Sequence, residues 1–209
     1  LVTISDFLVY NGKLGSGGLS SSTGYRPSKF LQPASVQLAP QNETDAPLFW
    51  YAEVLLNYAE ACAELTQLGA YSITQADLDK SINLLRKRAG VAELIFSGGD
   101  VMASGVVIND PKRDADVPSL IWEIRRERRV ELMMDGFRFQ DLMRWKKGEK
   151  LDTNQNPDAF LGAKVPANGK VSLNAEGYII PNSGVRTFID PKHYLSPIHT
   201  GQISLYPDG

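Results

Sequence analysis

The sequence predicts a mainly α-helical fold in which two helix hairpins are flanked by long irregular segments. The first observation is that apolar residues recur with helical periodicity through residues 47–150. The second is that three of the candidate helices are followed by glycine, which suits the left-handed position at a helix C-terminus. The third is that residues 1–46 are rich in glycine and serine, and residues 151–209 contain no clear helix. We therefore expect a loop-rich lead-in, a helical core and an irregular tail with these bounds.

The first predicted helix spans residues 47–68, with Pro47 in its first turn and Gly69 after its end. Its polar side chains alternate at spacings of four and three, which places them on one narrow stripe: Glu53, Asn57, Glu60, Glu64 and Gln67. Almost every other position is apolar. We therefore expect this helix to be buried over most of its circumference.

The second predicted helix spans residues 75–89. Thr74 precedes it and Asp77 follows three residues later, which is the spacing of a capping box with the shorter acid. Basic side chains fill the last turn, where they complement the helix dipole, and Gly90 ends the helix. Residues 91–117 are predicted to form a long loop.

The third and fourth predicted helices span residues 118–135 and 137–148. Pro118 suits the start of the third helix, and Asp135-Gly136 suits its end. The short connection predicts that the two helices pack as a hairpin, like the first two.

Charged residues are concentrated in residues 121–145, which hold six arginines and five acidic residues. Like charges recur at spacing four along the third helix, and such pairs repel by a few tenths of a kcal/mol. Compensation is expected from neighbouring helices or from two pairs at spacing three, Glu123 with Arg126 and Arg128 with Glu131. Acids are interleaved with the arginines, whereas a nucleic-acid surface needs uncompensated positive charge. We therefore predict a salt-bridged structural hairpin and no nucleic-acid partner.

The composition is that of an ordinary globular protein, with 43% hydrophobic and 22% charged residues and a net charge of −2. The single cysteine, Cys62, excludes an internal disulfide and lies among apolar helical residues. We expect it to be a buried, unreactive side chain. No apolar stretch approaches the length of a transmembrane helix.

Four stretches of the chain resemble, in the same order, motifs of the SusD/RagB family, the surface glycan-binding lipoproteins of Bacteroidetes nutrient-uptake systems. They are WYAEVLLNYAEACAEL from Trp50, INLLRKRAG from Ile82, the whole of residues 121–145, and YLSPI from Tyr194. The family's Glu-Gly is Asp135-Gly136 here, and His199-Thr200 stands where a proline often follows. The resemblance implies a tetratricopeptide-like arrangement of the helix hairpins.

The resemblance also implies a non-catalytic function. Family members capture an oligosaccharide at the cell surface and cover a SusC-like TonB-dependent outer-membrane transporter that imports it. They are considerably longer than this chain and carry an N-terminal lipid anchor. We therefore expect residues 1–209 to be a single SusD-like C-terminal region of an outer-membrane lipoprotein, with the anchor outside this chain. No cofactor is expected.

Loop aromatic residues are the candidates for ligand contact, because aromatic rings stack on the apolar faces of sugars and functional residues concentrate in loops. The candidates are Tyr10, Asn11, Tyr25 and Tyr178. The resemblance implies that much of the family's sugar site comes from the region that precedes the helices.

A calcium-like spacing of acidic and amide side chains follows the fourth helix: Asp152, Asn154, Asn156 and Asp158. Position six of this segment is Pro157 rather than glycine, and position twelve is Ala163 rather than glutamate. We therefore favour a polar turn and predict no metal.

Two other functions remain as alternatives. The helix hairpins are also typical of a protein-interaction scaffold that binds no sugar. A glycoside hydrolase would need two carboxyl groups about 5–10 Å apart, and sequence alone does not reveal spatial pairing. The chain contains neither a phosphate-binding loop nor a nucleophile-elbow motif. We predict that the protein is not an enzyme.

Overall fold

A computed structural model describes residues 22–25, 29, 47–167 and 171–205. The chain divides into two compact units. The helical unit consists of Phe30–Arg138 together with Leu1, and the loop unit consists of Val2–Lys29 and Phe139–Gly209.

The prediction of a mainly α-helical fold is confirmed, since the described residues contain six α-helices and one small sheet. The α-helices are α1 (Tyr51–Gln67), α2 (Gln75–Asp79), α3 (Ile82–Arg88), α4 (Ser119–Glu131), α5 (Phe137–Arg144) and α6 (Thr200–Leu205). Short 3-10 helices span Gly148–Leu151 and Lys192–Tyr194. Within the described part of the chain, no helix is long and apolar enough to cross a membrane.

The predicted helix over residues 75–89 is in fact two helices, α2 and α3, and the prediction of a single helix was wrong. The Ser81 hydroxyl donates a hydrogen bond to the Asp77 carbonyl. In a continuous helix, that carbonyl would accept a hydrogen bond from the Ser81 N–H. That N–H bonds instead to the Leu78 carbonyl at 3.2 Å. This competition breaks the helix at Ser81.

A buried carboxylate organises the start of α2. The predicted capping box is confirmed, with the Thr74 N–H donating to Asp77 Oδ2 at 2.9 Å. Asp77 is only 2% exposed and also accepts hydrogen bonds from the hydroxyls of Tyr58 (2.7 Å) and Tyr71 (3.1 Å). Lys80 Nζ lies 3.0 Å from its Oδ1. Burial opposes ionisation of Asp77, but the bonds from Tyr58, Thr74 and Lys80 outweigh it and hold its pKa well below the usual range.

A three-stranded antiparallel sheet lies within residues 91–117, where we predicted a loop, so that prediction was wrong. Its strands are β1 (Ile95–Ser97), β2 (Asp100–Ala103) and β3 (Val106–Val107), in that order. Each connection has two residues with positive φ, Gly98-Gly99 and Ser104-Gly105, as tight hairpins require. Val101 on β2 is fully buried and joins the sheet to the helical core.

The core of the helical unit lies mainly between α1 and α4, which pack on each other more extensively than any other pair of elements. Small side chains on α1 let the backbones approach closely, and Ala59 and Ala63 are almost fully buried. Cys62 is buried and free, as predicted. On α4 the matching residues are Ile121 and Ile124.

The prediction that α1 is buried over most of its circumference was wrong. One apolar stripe faces the core, while a second stripe is exposed: Tyr51, Val54, Tyr58, Ala61, Leu65 and Leu68. The polar stripe is not uniformly exposed either, since Glu60 is buried. The sequence pattern shows that a stripe is apolar, but it does not show which stripe the rest of the fold covers.

The like-charged rows of α4 are compensated mainly by neighbouring helices. Three pairs connect them: Arg86–Glu127 at 2.6 Å, Arg88–Glu131 at 2.5 Å, and Arg125–Glu64 at 3.1 Å. The predicted pair at spacing three between Glu123 and Arg126 is confirmed at 3.1 Å.

Two arginines of α4, Arg125 and Arg128, have partners on α1, and Arg128 is the more deeply buried of the two. Its side chain is 5% exposed, and its guanidinium donates to Asn57 Oδ1 at 2.8 Å. Glu53 lies 4.0 Å away, and the Phe137 ring centroid lies 5.6 Å from the guanidinium carbon.

Replacement of Arg128 by alanine should lower the free energy of unfolding by more than about 1 kcal/mol, because it removes the hydrogen bond that a buried guanidinium donates to Asn57 and leaves a partner acid without its cation. Equilibrium urea unfolding measures this change. The control is Arg129→Ala, the exposed neighbour on the same helix, which should change stability by no more than about 0.5 kcal/mol. Equal unfolding midpoints for the wild type and Arg128→Ala would contradict this role.

Asp77→Asn should lower the free energy of unfolding at pH 7 by about 1–3 kcal/mol, because charge-assisted hydrogen bonds are lost. Equilibrium urea unfolding measures this change. The folded pKa of Asp77 is depressed, so its contribution is complete above the unfolded pKa of about 3.9 and disappears as the pH falls through the folded pKa. The difference between wild type and variant should therefore narrow in acid. The exposed carboxyl variant Asp100→Asn is the control. A difference that stays constant from pH 7 to pH 2 would contradict the assignment.

Candidate functional site

Backbone hydrogen bonds in the loop unit join three segments that are far apart in the sequence. The Ala163 N–H donates to the Thr23 carbonyl at 2.8 Å, and the Ile179 N–H donates to the Ala163 carbonyl at 3.0 Å. The Gly162 N–H donates to the Ile179 carbonyl at 2.7 Å. We call residues 22–25, 161–165 and 172–180 together the paired-loop cluster.

Residues 172–180 form a tight hairpin within this cluster. The Tyr178 N–H donates to the Asn174 side-chain oxygen at 2.8 Å, and the Asn174 N–H donates to the Tyr178 carbonyl at 2.9 Å. Gly177 has a φ of +88° and supplies the left-handed residue of the turn. Tyr178 is therefore held at a fixed position where the hairpin begins its return.

Two glycines permit the close approach of these segments. A Cβ on Gly162 would lie 2.3 Å from the Thr23 carbonyl oxygen, and a Cβ on Gly24 would lie 2.9 Å from Ile179 Cδ1. Gly24 also has a φ of +73°, which disfavours other residues. The cluster therefore depends on the absence of side chains at both positions.

Two of the four predicted ligand residues lie on the paired-loop cluster. Tyr25 is 40% exposed, and its N–H donates to the Thr23 hydroxyl at 3.3 Å. Tyr178 is half-buried, with Lys164 Nζ 5.5 Å from its ring centroid. The other two, Tyr10 and Asn11, lie outside the described residues.

Lys164 was not predicted from the sequence. It lies opposite Tyr178 in an antiparallel pair, and its ammonium group stands over the tyrosine ring. This places a hydrogen-bond donor with a positive charge beside an aromatic face. An aromatic face and an adjacent donor are a combination that can hold a sugar ring and one of its hydroxyls.

The segment with calcium-like spacing forms a hydrogen-bonded turn. Asp152 is buried, and its carboxylate accepts hydrogen bonds from the N–H groups of Asn154 (2.8 Å) and Phe188 (2.9 Å). The bond from Phe188 is the largest of the effects that keep the pKa of Asp152 below its usual range. The Asn156 amide donates to the Glu149 carbonyl at 3.0 Å, and Asp158 is exposed. In the described ranges, no cluster of three or more His, Cys, Asp or Glu side chains could hold a metal.

An aromatic cluster fixes the late part of the loop unit. The Phe188 and Tyr194 rings meet edge to face with centroids 4.8 Å apart. The Tyr194 hydroxyl accepts the Gly148 N–H at 2.9 Å, and a Cβ on Gly148 would lie 2.1 Å from the Phe188 ring. Tyr194 therefore has a structural role. Elsewhere in the unit, the guanidinium carbon of Arg186 lies 3.8 Å from the centroid of the Phe160 ring.

Comparison with known proteins relates the chain to one family. The model of the SusD family matches residues 5–208. Among solved structures, a SusD-like carbohydrate-binding protein from Bacteroides fragilis is similar, with 27% sequence identity and a TM-score of 0.54. The match covers 83% of this chain and 30% of that chain, so this chain corresponds to less than a third of the length of its structural neighbour. No curated protein matches it significantly.

Gly162→Ala should disrupt the paired-loop cluster, because the added methyl group would collide with the Thr23 carbonyl. We expect a loss of about 1–3 kcal/mol in unfolding free energy. Hydrogen exchange should show faster exchange of the Ala163 amide, which donates to that carbonyl. Gly184→Ala is the control, since its methyl group would meet only the end of a side chain. Unchanged exchange at Ala163 would show that the segments are not paired as described.

Proposed function

This chain belongs to the SusD family, and on that premise we propose that it contributes to non-catalytic binding of oligosaccharides or polysaccharides at the cell surface. The observation that supports this proposal is the paired-loop cluster, which carries Tyr25 and Tyr178 on two segments that each hydrogen bond to Ala163. The structural neighbour's name, a SusD-like carbohydrate-binding protein, supports the same class of ligand.

The physical basis of the proposed binding is stacking on a preorganised surface. The Tyr178 backbone is bonded to Asn174, and the segment that carries Tyr25 is bonded through Thr23 to Ala163. Tyrosines whose backbone is held in this way lose little backbone entropy when a sugar stacks on their rings. The Lys164 ammonium can donate hydrogen bonds to sugar hydroxyls beside the Tyr178 ring.

The proposed role extends to transport and location. We propose that the bound glycan passes to a SusC-like TonB-dependent outer-membrane transporter, and that the protein acts at the outer membrane facing outward, held by a lipid anchor. Family membership supports this assignment. Binding and release of an intact glycan need no general acid or base, so we propose that no bond is broken.

If the paired-loop cluster binds glycan, the chain should be retarded in native gels that contain its polysaccharide, tested with a panel of plant and host polysaccharides. Tyr178→Ala and Tyr25→Ala should each weaken binding by about tenfold, or about 1.4 kcal/mol, because a stacking surface is lost. Tyr51→Ala is the matched control, because Tyr51 is an exposed tyrosine on α1 in the helical unit.

Three outcomes would count against the proposal. Retardation that survives both loop substitutions would place the site elsewhere. Absence of retardation with every polysaccharide would favour the interaction-scaffold alternative. Release of reducing ends from a polysaccharide during incubation would identify a hydrolase, because a binding protein leaves glycosidic bonds intact.

A further inference from the structure

Two cationic side chains of the loop unit each lie over an aromatic ring. The Arg186 guanidinium carbon is 3.8 Å from the centroid of the Phe160 ring, and the Lys164 ammonium is 5.5 Å from the centroid of the Tyr178 ring. We call Lys164 and Arg186 the stacked cations. Both residues are exposed. Each charge is therefore positioned by an aromatic face and is still accessible to a ligand.

The backbone that carries each stacked cation is held by a segment opposite it. The Arg186 N–H donates to the Thr153 hydroxyl at 2.9 Å, and the Thr153 N–H donates to the Arg186 carbonyl at 2.9 Å. Lys164 lies opposite Tyr178 in an antiparallel bridge. A ligand that contacts these two residues therefore orders little backbone when it binds, which lowers the entropic cost of binding.

The stacked cations belong to one part of the loop unit. Phe160, over which Arg186 lies, precedes Lys164 by only four residues. Four residues of fully extended chain span at most about 14 Å. The two cation–aromatic pairs are therefore neighbours along one segment, so a single extended ligand can contact both.

Neither stacked cation is neutralised by an acidic side chain of the described residues. Within those ranges, no carboxylate lies within 4.0 Å of the Lys164 ammonium or the Arg186 guanidinium. Arginines of the helical unit differ in this respect, since Arg86 and Arg125 pair with acids of a neighbouring helix. The stacked cations are therefore available to an anion from outside the fold.

The charge of the chain is divided unevenly between its two units. The loop unit contains 11 lysines and arginines against 8 aspartates and glutamates, a net charge of +3. The helical unit contains 11 against 16, a net charge of −5. A surplus of positive charge attracts anionic ligands over a distance set by the ionic strength. This surplus lies in the unit that carries the paired-loop cluster.

We infer that the glycan bound by this chain is acidic and that its carboxylate or sulfate groups contact Lys164 and Arg186. The inference rests on the proposed function and adds the chemical class of the ligand. A guanidinium offers N–H groups along its edge that match two oxygens of a carboxylate or a sulfate. The ammonium adds a point charge beside the Tyr178 ring. A neutral glycan would use the aromatic rings and leave both charges without an anion.

The inference is tested by calorimetric titration of the chain with polysaccharides that differ in charge. Polygalacturonate is compared with its methyl ester, which lacks the carboxylate charge, and chondroitin sulfate with its desulfated form. Starch is the neutral polysaccharide, and double-stranded DNA is a polyanion without a polysaccharide backbone.

The variants Arg186→Gln and Lys164→Gln remove one stacked cation each. Their matched controls are Arg129→Gln and Lys87→Gln, exposed cations of the helical unit whose loss changes the net charge equally. Arg186→Lys keeps the charge at the first position, so it should retain more binding than Arg186→Gln.

The expected result is binding to an acidic polysaccharide that weakens at least about tenfold in Arg186→Gln and in Lys164→Gln, because an ion pair with the ligand is lost. Arg129→Gln and Lys87→Gln should bind like the wild type. A loss of binding on methyl esterification of polygalacturonate assigns the carboxylate as the recognised group. A loss on desulfation of chondroitin sulfate assigns the sulfate.

Binding to starch or to the methyl ester that is unchanged in Arg186→Gln and Lys164→Gln would overturn the inference and leave the proposed function standing. Equal losses in the control variants would also overturn it, because net charge would then attract the ligand. Equal affinity for DNA would show that negative charge is recognised without the sugar, and would overturn it too. Absence of binding to every polysaccharide would overturn the inference together with the proposed function.

Discussion

The packing of α1 on α4 is the constraint on which the helical unit depends. Ala59 and Ala63 bring the two backbones close enough for Ile121 and Ile124 to fill the space between them. That closeness also decides where the charges go. Arg128 is buried at the same interface, so it requires a partner on α1, and Asn57 provides one at 2.8 Å.

The charge order of α4 becomes intelligible once its neighbours are in place. Glu127 and Glu131 repel each other along the helix, but they meet Arg86 and Arg88 of α3. On another side of α4, Arg125 meets Glu64 of α1. Two members of the acidic row of α4 thus pair with α3, and one member of its basic row pairs with α1. The layout that is unfavourable for an isolated helix specifies which helices pack beside it.

Local signals predicted α1, α4 and α5 because such signals act within one or two turns. The prediction that residues 151–209 contain no clear helix was wrong, since α6 lies there. Glycines follow α1 and α3 with φ values of +69°, as predicted for helix termini. The predicted end of the third helix at Asp135-Gly136 was wrong, because α4 ends at Glu131 and Gly136, with a φ of +86°, directly precedes α5. The sheet was missed although Gly98-Gly99 and Ser104-Gly105 are hairpin turn sequences, because its strands are too short for a clear alternation.

The non-local part of the candidate site had no sequence signal. Tyr25 and Tyr178 were chosen singly as loop aromatics, and nothing in the sequence joins the segments that carry them. Their association depends on backbone hydrogen bonds to Ala163 and on the two glycines that permit them. Such pairings are specified by tertiary packing, which a residue pattern does not encode. Lys164 was missed for the same reason.

Tyr58 connects the exposed side of α1 to the buried carboxylate at the start of α2. A tyrosine that becomes buried must satisfy its hydroxyl, or the lost hydrogen bonds to water oppose the packing. The Tyr58 hydroxyl already donates to Asp77 at 2.7 Å, and the Tyr71 hydroxyl does the same at 3.1 Å. The carboxylate that caps α2 thus also satisfies two tyrosine hydroxyls, and through Tyr58 it ties the start of α2 to α1.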